Sequence, residues 1–223
     1  MSKVISNLQD VRQTIPKECT LVAVSKTKPI EDLQEAYDAG QRDFGENKVQ
    51  ELTDKASKLP SDIRWHMIGH LQRNKVKYIA PFVHLIHGVD SLKLLAEINK
   101  RAKNEARIIQ CLLQVHIAEE QSKFGFDVEE ITQLISEDPI SSLEHIEIIG
   151  LMGMATFTKD EDQVRREFNS LQELYQKCQS SKISNMKIST LSMGMSGDYR
   201  IAIEEGSNMV RIGSAIFGSR EYQ

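Results

Sequence analysis

The 223-residue chain has three cysteines, Cys19, Cys111 and Cys178, an odd and scattered set with neither a disulfide framework nor metal-ligand spacing. That usage suits a reducing compartment, so a cytoplasmic protein is expected. No apolar run approaches the ~20 residues of a membrane span, and no membrane partner is expected. The opening stretch MSKVISNLQDVRQTI is amphipathic rather than continuously apolar, which excludes a signal peptide, and it is not a transit peptide of the Arg- and Ser-rich kind. Long basic runs are missing as well. With Lys+Arg 28 against Asp+Glu 32 and a net charge of −4, no nucleic-acid or polyanion partner is implied. Nor is there a Pro/Ser-rich linker, a low-complexity segment or a shift in composition, so residues 1–223 read as one domain.

What the chain does have is alternation. Val4, Leu8, Val11 and Ile15 mark an amphipathic first helix that stops near Pro16. Strand-like runs follow at 21–26, 43–46, 65–69, 84–89, 108–117, 147–155, 189–193 and 209–214, each with a helical pattern after it. Eight such units make a (β/α)8 barrel the leading architecture, with an open doubly wound sheet as the alternative.

The first run, Leu21-Val22-Ala23-Val24-Ser25-Lys26, is apolar and ends on a lysine. Four apolar residues in a row suit a parallel strand buried on both faces. Alternation puts Val22, Val24 and Lys26 on one face, at the strand end where barrels gather function. A partly desolvated lysine is an amine nucleophile toward carbonyls; the competing reading is a lysine that snorkels to solvent. Barrel closure sets the last strand beside the first. There Val210 and Ile212 are expected to face the helices and Arg211 the interior, next to Lys26, whose free-amine form its charge favours. A structural pairing of Arg211 with a carboxylate is the alternative.

The loops after the last two strands, MGMSGD (193–198) and GSA (213–215), each pair glycine with a serine just before a helix start, which suits an anion. Lysine, arginine and phosphate loops together point to a phosphorylated carbonyl ligand. Pyridoxal phosphate and a sugar phosphate are the two candidates. Asn47 is read as a ligand contact or a helix N-cap, and His66 as a ring contact or a core histidine. His70, Gln72 and Asn74 read as a helix start. Lys28 and Lys123 read as solvated lysines that could pass an aldehyde to or from Lys26. Met152, Met154, Met193 and Met195 read as soft packing near the mouth.

Seven segments carry a family resemblance: AVSKTKP (23–29), FGEN (44–47), WHMIGHLQRNK (65–75), SKFG (122–125), GLM (150–152), LSMGMSGD (191–198) and VRIGSAIFG (210–218). Together they resemble the pyridoxal phosphate homeostasis proteins, single-domain relatives of the alanine racemase N-terminal barrel. The resemblance implies a pyridoxal phosphate Schiff base on Lys26, its ring nitrogen against Arg211, and its phosphate on Ser196, Gly213 and Ser214. It further implies a role in vitamin B6 and amino-acid homeostasis without turnover, with apo-enzymes that use the cofactor as recipients. A monomer is expected, since the racemase's second domain has no counterpart. Tyr199 lies in no matching motif. The rival readings are an amino-acid racemase and a Schiff-base aldolase.

Overall fold

The computed structural model describes residues 2–119 and 124–219. Eight parallel strands close in chain order into a barrel: β1 (Thr20–Val24), β2 (Asp43–Glu46), β3 (Arg64–Met67), β4 (Leu85–Val89), β5 (Ile109–Gln114), β6 (Ile146–Met152), β7 (Met186–Ser192) and β8 (Met209–Ile212). β1 and β8 pair in parallel, with Val22 opposite Arg211. The helices are α1 (Lys3–Gln13), α2 (Ile30–Asp38), α3 (Val49–Ala56), α4 (Val76–Ile79), α5 (Leu92–Asn104), α6 (Val128–Glu137), α7 (Glu161–Gln179), α8 (Tyr199–Glu204) and α9 (Ser214–Phe217). The barrel expected from alternation is therefore the fold. Among the described residues, no helix is long and apolar enough to cross a membrane.

One helix differs from the sequence expectation. The helix expected over 71–79 is a 3-10 turn at Arg73–Lys75 followed by the single turn α4. No side chain caps its start, and Pro81 follows close behind, where helix continuation is disfavoured. The helix after β8 is the short helical turn expected there. Its place in the outer ring is filled by α1, which packs against α9 and α2, with Asn7 Nδ2 donating to Ile216 O at 2.9 Å. Met152, Met154, Met193 and Met195 sit at or just past the carboxyl ends of β6 and β7 but face different ways: Met152 is in the barrel lumen, Met193 lies in the layer between sheet and helices, and Met154 is exposed.

Period-two alternation divides the core. Leu21, Ala23, Phe44, Trp65, Cys111, Leu113, Val210 and Ile212 pack outward against the helices. Val22, Leu85, Leu112, Met152 and Met209 form a separate apolar plug in the lumen. Above it, Glu167 of α7 draws together the loops after β5 and β6. Its carboxylate accepts from Glu119 N at 3.2 Å, Thr156 N at 2.7 Å and Thr156 Oγ1 at 2.7 Å.

Gly150 of the GLM segment stands where β6 and β7 shift register. A Cβ there would lie 1.7 Å from Thr190 O, and a backbone atom cannot yield cheaply. Gly150→Ala is expected to cost about 3 kcal/mol, at the upper end of overpacking penalties, read as a lower urea midpoint. Gly197→Ala, with nothing within 4 Å of the added carbon, is the control and is expected to leave the midpoint unchanged.

Candidate functional site

The turn after β1 is organised by a buried ammonium. Lys55 of α3 is 4% exposed. Its Nζ donates to Ser25 O at 2.7 Å, Glu46 Oε1 at 2.8 Å and Glu51 Oε1 at 2.7 Å. Ser25 Oγ donates to the same Glu46 oxygen at 2.6 Å, and Thr27 N to Glu51 Oε1 at 2.5 Å. Residues on both sides of Lys26 are thus tied to one charge cluster. Burial raises the Glu46 pKa, and the hydrogen bonds from Lys55 and Ser25 oppose the rise.

Lys26 does not end the strand. β1 stops at Val24, Ser25 N makes the last bond to Gly45 O at 3.0 Å, and Lys28 N closes a turn on Ser25 O at 3.1 Å. Thr27 has φ +63°, a left-handed conformation that costs a β-branched residue roughly 1–3 kcal/mol. The half-buried Lys26 sits on this strained, clamped turn, so strand alternation does not set its direction.

On β8, Arg211 is inward and 4% exposed, as alternation predicts. Its Nη1 donates to Ser192 O at 2.8 Å and Ser192 Oγ at 2.6 Å, and its Nη2 to Gly153 O at 2.9 Å. These bonds use three of a guanidinium's five donors. Burial lowers its pKa to about 10, against the pull of Asp198. No carboxylate is in ion-pair contact with it among the described residues.

The two anion-type loops meet at Ser196, whose Oγ accepts from Gly213 N at 3.3 Å and Ala215 N at 3.5 Å. Asp198 Oδ1 closes the first loop on Met195 N at 2.5 Å. A Cβ on Gly213 would stand 3.0 Å from Val24 O, so a side chain there would crowd β1 where β8 ends beside it. Ser214 is exposed at the start of α9. Asn47 is half-buried just past β2; Lys48, not Asn47, occupies the N-cap position of α3.

His66 takes the core-histidine alternative. It is 1% exposed inside the barrel, and both ring nitrogens are committed, Nδ1 to His87 Nε2 at 2.9 Å and Nε2 to Asp43 Oδ1 at 3.1 Å. His70 Nδ1 meets Asp90 Oδ2 at 3.0 Å. With Gln72, Arg73, Asn74 and Lys93 it lines an open cavity of about 540 Å³ that includes none of Lys26, Ser196 or Arg211. Lys28 Nζ donates to Ser219 O at 3.1 Å, and Lys123 lies outside the described residues. Tyr199 turns toward α1, its hydroxyl 2.8 Å from Thr14 Oγ1. The cysteines are buried, and burial pushes the Cys19 and Cys178 thiols up to about 11.

Known proteins share this architecture and sequence. The family described as alanine racemase, N-terminal domain, matches residues 1–221. The pyridoxal phosphate homeostasis protein of Vibrio alginolyticus is 39% identical over all of both chains. The chain belongs to the pyridoxal phosphate homeostasis protein family. Its relative of that name in Escherichia coli (strain K12) is 37% identical, covering 100% of this chain and 99% of that one. PipY of Synechococcus elongatus PCC7942, in a structure with PLP bound, is 33% identical with a TM-score of 0.86, covering 96% of this chain and 100% of that one.

Lys55, Glu46 and Glu51 were not among the residues expected to matter. In sequence, Lys55 reads as an ordinary helical lysine with Glu51 at i−4. Removing a buried ammonium strands its partners. Lys55→Met is expected to cost about 3–5 kcal/mol. Lys55→Met with Glu46→Leu is expected to recover much of the loss, because no unpaired charge then remains. Urea unfolding of the two variants is the measurement.

Proposed function

We propose that this chain holds pyridoxal phosphate reversibly at the carboxyl ends of β1 and β8 and buffers or delivers it without turning over a substrate. The aldehyde of that cofactor condenses with an amine, losing water, to give a Schiff base. Lys26 Nζ is the proposed amine. The observation that carries the reading is one juxtaposition. The clamped turn bearing Lys26 follows β1, and its neighbour β8 carries the buried Arg211 and the amides that converge on Ser196.

The residues fit the group. The backbone amides of Gly213 and Ala215 and the hydroxyl of Ser196 form a donor-rich nook suited to a phosphate, with Ser214 beside it. Arg211 retains donors beyond its three bonds and is charged at neutral pH, so it can donate to a ring nitrogen. Asn47, at the same end of the barrel, is the proposed contact to a ligand oxygen. His66 keeps no ring nitrogen for the ligand, and its proposed role is indirect. The cofactor seen in PipY supports this ligand over a sugar phosphate. The single barrel domain, a monomeric state, a role in amino-acid homeostasis and apo-enzyme recipients are parts of the same proposal.

Borohydride reduction of the protein loaded with pyridoxal phosphate, followed by peptide mapping, tests the attachment. The label is expected on Lys26, and Lys26→Ala is expected to lose both label and visible band. Label on Lys28 or Lys123 in the parent protein overturns the assignment.

Ser196→Ala removes a hydrogen bond to a charged group, worth about 1.5–3 kcal/mol. Retention of the cofactor is expected to fall roughly ten- to hundredfold, with no change in the thermal midpoint of the ligand-free protein. Unchanged retention in both Ser196→Ala and Ser214→Ala moves the phosphate elsewhere.

A further inference from the structure

A continuous line of hydrogen bonds crosses the barrel lumen behind Arg211. Arg211 Nη1 on β8 lies 2.6 Å from Ser192 Oγ on β7. Ser192 Oγ lies 3.3 Å from His87 Nδ1 on β4, and His87 Nε2 lies 2.9 Å from His66 Nδ1 on β3. His66 Nε2 lies 3.1 Å from Asp43 Oδ1 on β2. Asp43 is gripped from the amino-terminal mouth by Arg64, Nε to Oδ1 at 2.7 Å and Nη2 to Oδ2 at 2.5 Å. Ser192 and His87 are wholly buried.

With both imidazoles neutral, the carboxylate end sets the direction of every bond in the line. A guanidinium can only donate and a carboxylate can only accept. Ser192 Oγ accepts from Arg211, which leaves its own hydrogen available for the bare Nδ1 that a neutral His87 presents. His87 then carries its proton on Nε2 and gives that bond to His66 Nδ1. His66 in turn carries its proton on Nε2 and gives that bond to Asp43. All contacts are satisfied with both imidazoles neutral and in the same tautomer. The opposite direction requires protons on both nitrogens of His66, a cation in the lumen near His84, Arg64 and Arg211. His84 also brings a ring nitrogen within 4.8 Å of ligand-type atoms of Asp43 and His66. Both Asp43 oxygens are already taken, by Arg64 and His66, so the cluster reads as the end of this line rather than a metal centre.

We propose that His87, backed by His66 and Asp43, is a positioning residue for Arg211. By accepting the Ser192 hydrogen it locks Ser192 Oγ as the acceptor that aims the guanidinium, and so ties the mouth of the barrel to a carboxylate at its opposite end. The ligand that Arg211 meets rests on the function proposed above; the line itself does not.

The first arm therefore uses the full chain free of cofactor. Long-range ¹H–¹⁵N spectra of histidine-labelled protein at neutral pH are expected to show both His66 and His87 protonated on Nε2 and bare on Nδ1. A proton on His87 Nδ1, or a cationic His66, overturns the proposal. Slow rotation of the Arg211 guanidinium, seen in its ¹⁵N resonances, is expected in the parent and lost in His87→Leu. His87→Gln, which offers an oxygen to Ser192 and an N–H to His66, is expected to restore it. Rotation that stays slow in a folded His87→Leu overturns the proposal. If that variant does not fold, the parent tautomers and His87→Gln decide.

The second arm loads pyridoxal phosphate. Release is expected to be roughly tenfold faster in His87→Leu, with Lys26 still the labelled residue, and near the parent rate in His87→Gln. A failure of this arm alone, with the first intact, counts against the cofactor reading and leaves the line standing.

Discussion

The ammonium of Lys55 is the contact on which the mouth of this barrel depends. It is buried, so its charge needs full compensation. The partners it finds are the carboxylates of Glu46 and Glu51 and the carbonyl of Ser25. Glu46 belongs to β2, Glu51 and Lys55 to α3, and Ser25 to the turn after β1. One charge therefore fixes a helix, a strand and a turn against one another. The cost shows at Thr27, whose left-handed backbone persists because Glu51 holds its amide. On the function proposed above, an amine on a loose loop would spend little time in any one geometry. On a turn clamped at the residues before and after it, it is kept near the end of β8.

The lumen is split between two kinds of packing. The apolar plug of Val22, Leu85, Leu112, Met152 and Met209 gives burial energy without direction. The line from Arg211 to Asp43 gives direction without much burial energy. Buried polar groups of this kind are tolerated when each is satisfied, and here each member bonds on both sides. Asp43 shows how strongly. Burial would raise its pKa, but hydrogen bonds from Arg64 and His66 outweigh that and hold the carboxyl below its usual range. Its folded-state pKa is depressed, so its contribution to stability is complete above the unfolded value of ~3.9 and fades as pH falls below it.

Much of this architecture could be read from local pattern. Eight alternating units gave the barrel, and period-two alternation on β8 put Arg211 inside and Val210 and Ile212 outside. The same rule applied to β4 would have put His87 inward with Leu85. A histidine inside a strand nonetheless carries no motif of its own, so its role is silent in the sequence. Alternation does not reach Lys26, since the strand ends two residues earlier and the turn follows its clamp. His66 follows the core-histidine alternative, and its ring's partners lie on β2 and β4, far apart in sequence. The family resemblance covers Lys26, Arg211 and the Ser196 loop, yet says nothing about Lys55, whose burial depends on tertiary packing.

On the function proposed above, Arg211 also bears on why this mouth would hold a ligand rather than turn one over. Its pKa of about 10 leaves it protonated by a factor of about a thousand at neutral pH. A pyridine nitrogen facing it would accept a hydrogen bond and stay unprotonated, which weakens the ring as an electron sink. An enzyme working with that handicap needs well-placed acids and bases beside the substrate. Here the Tyr199 hydroxyl is turned to Thr14. The Cys19 and Cys178 thiols are buried and pushed up to about 11. His66 and His87 are engaged with each other in the lumen. Lys26, by contrast, is half-buried on its clamped turn, the position a reversible amine needs if it is to take up a carbonyl and release it again.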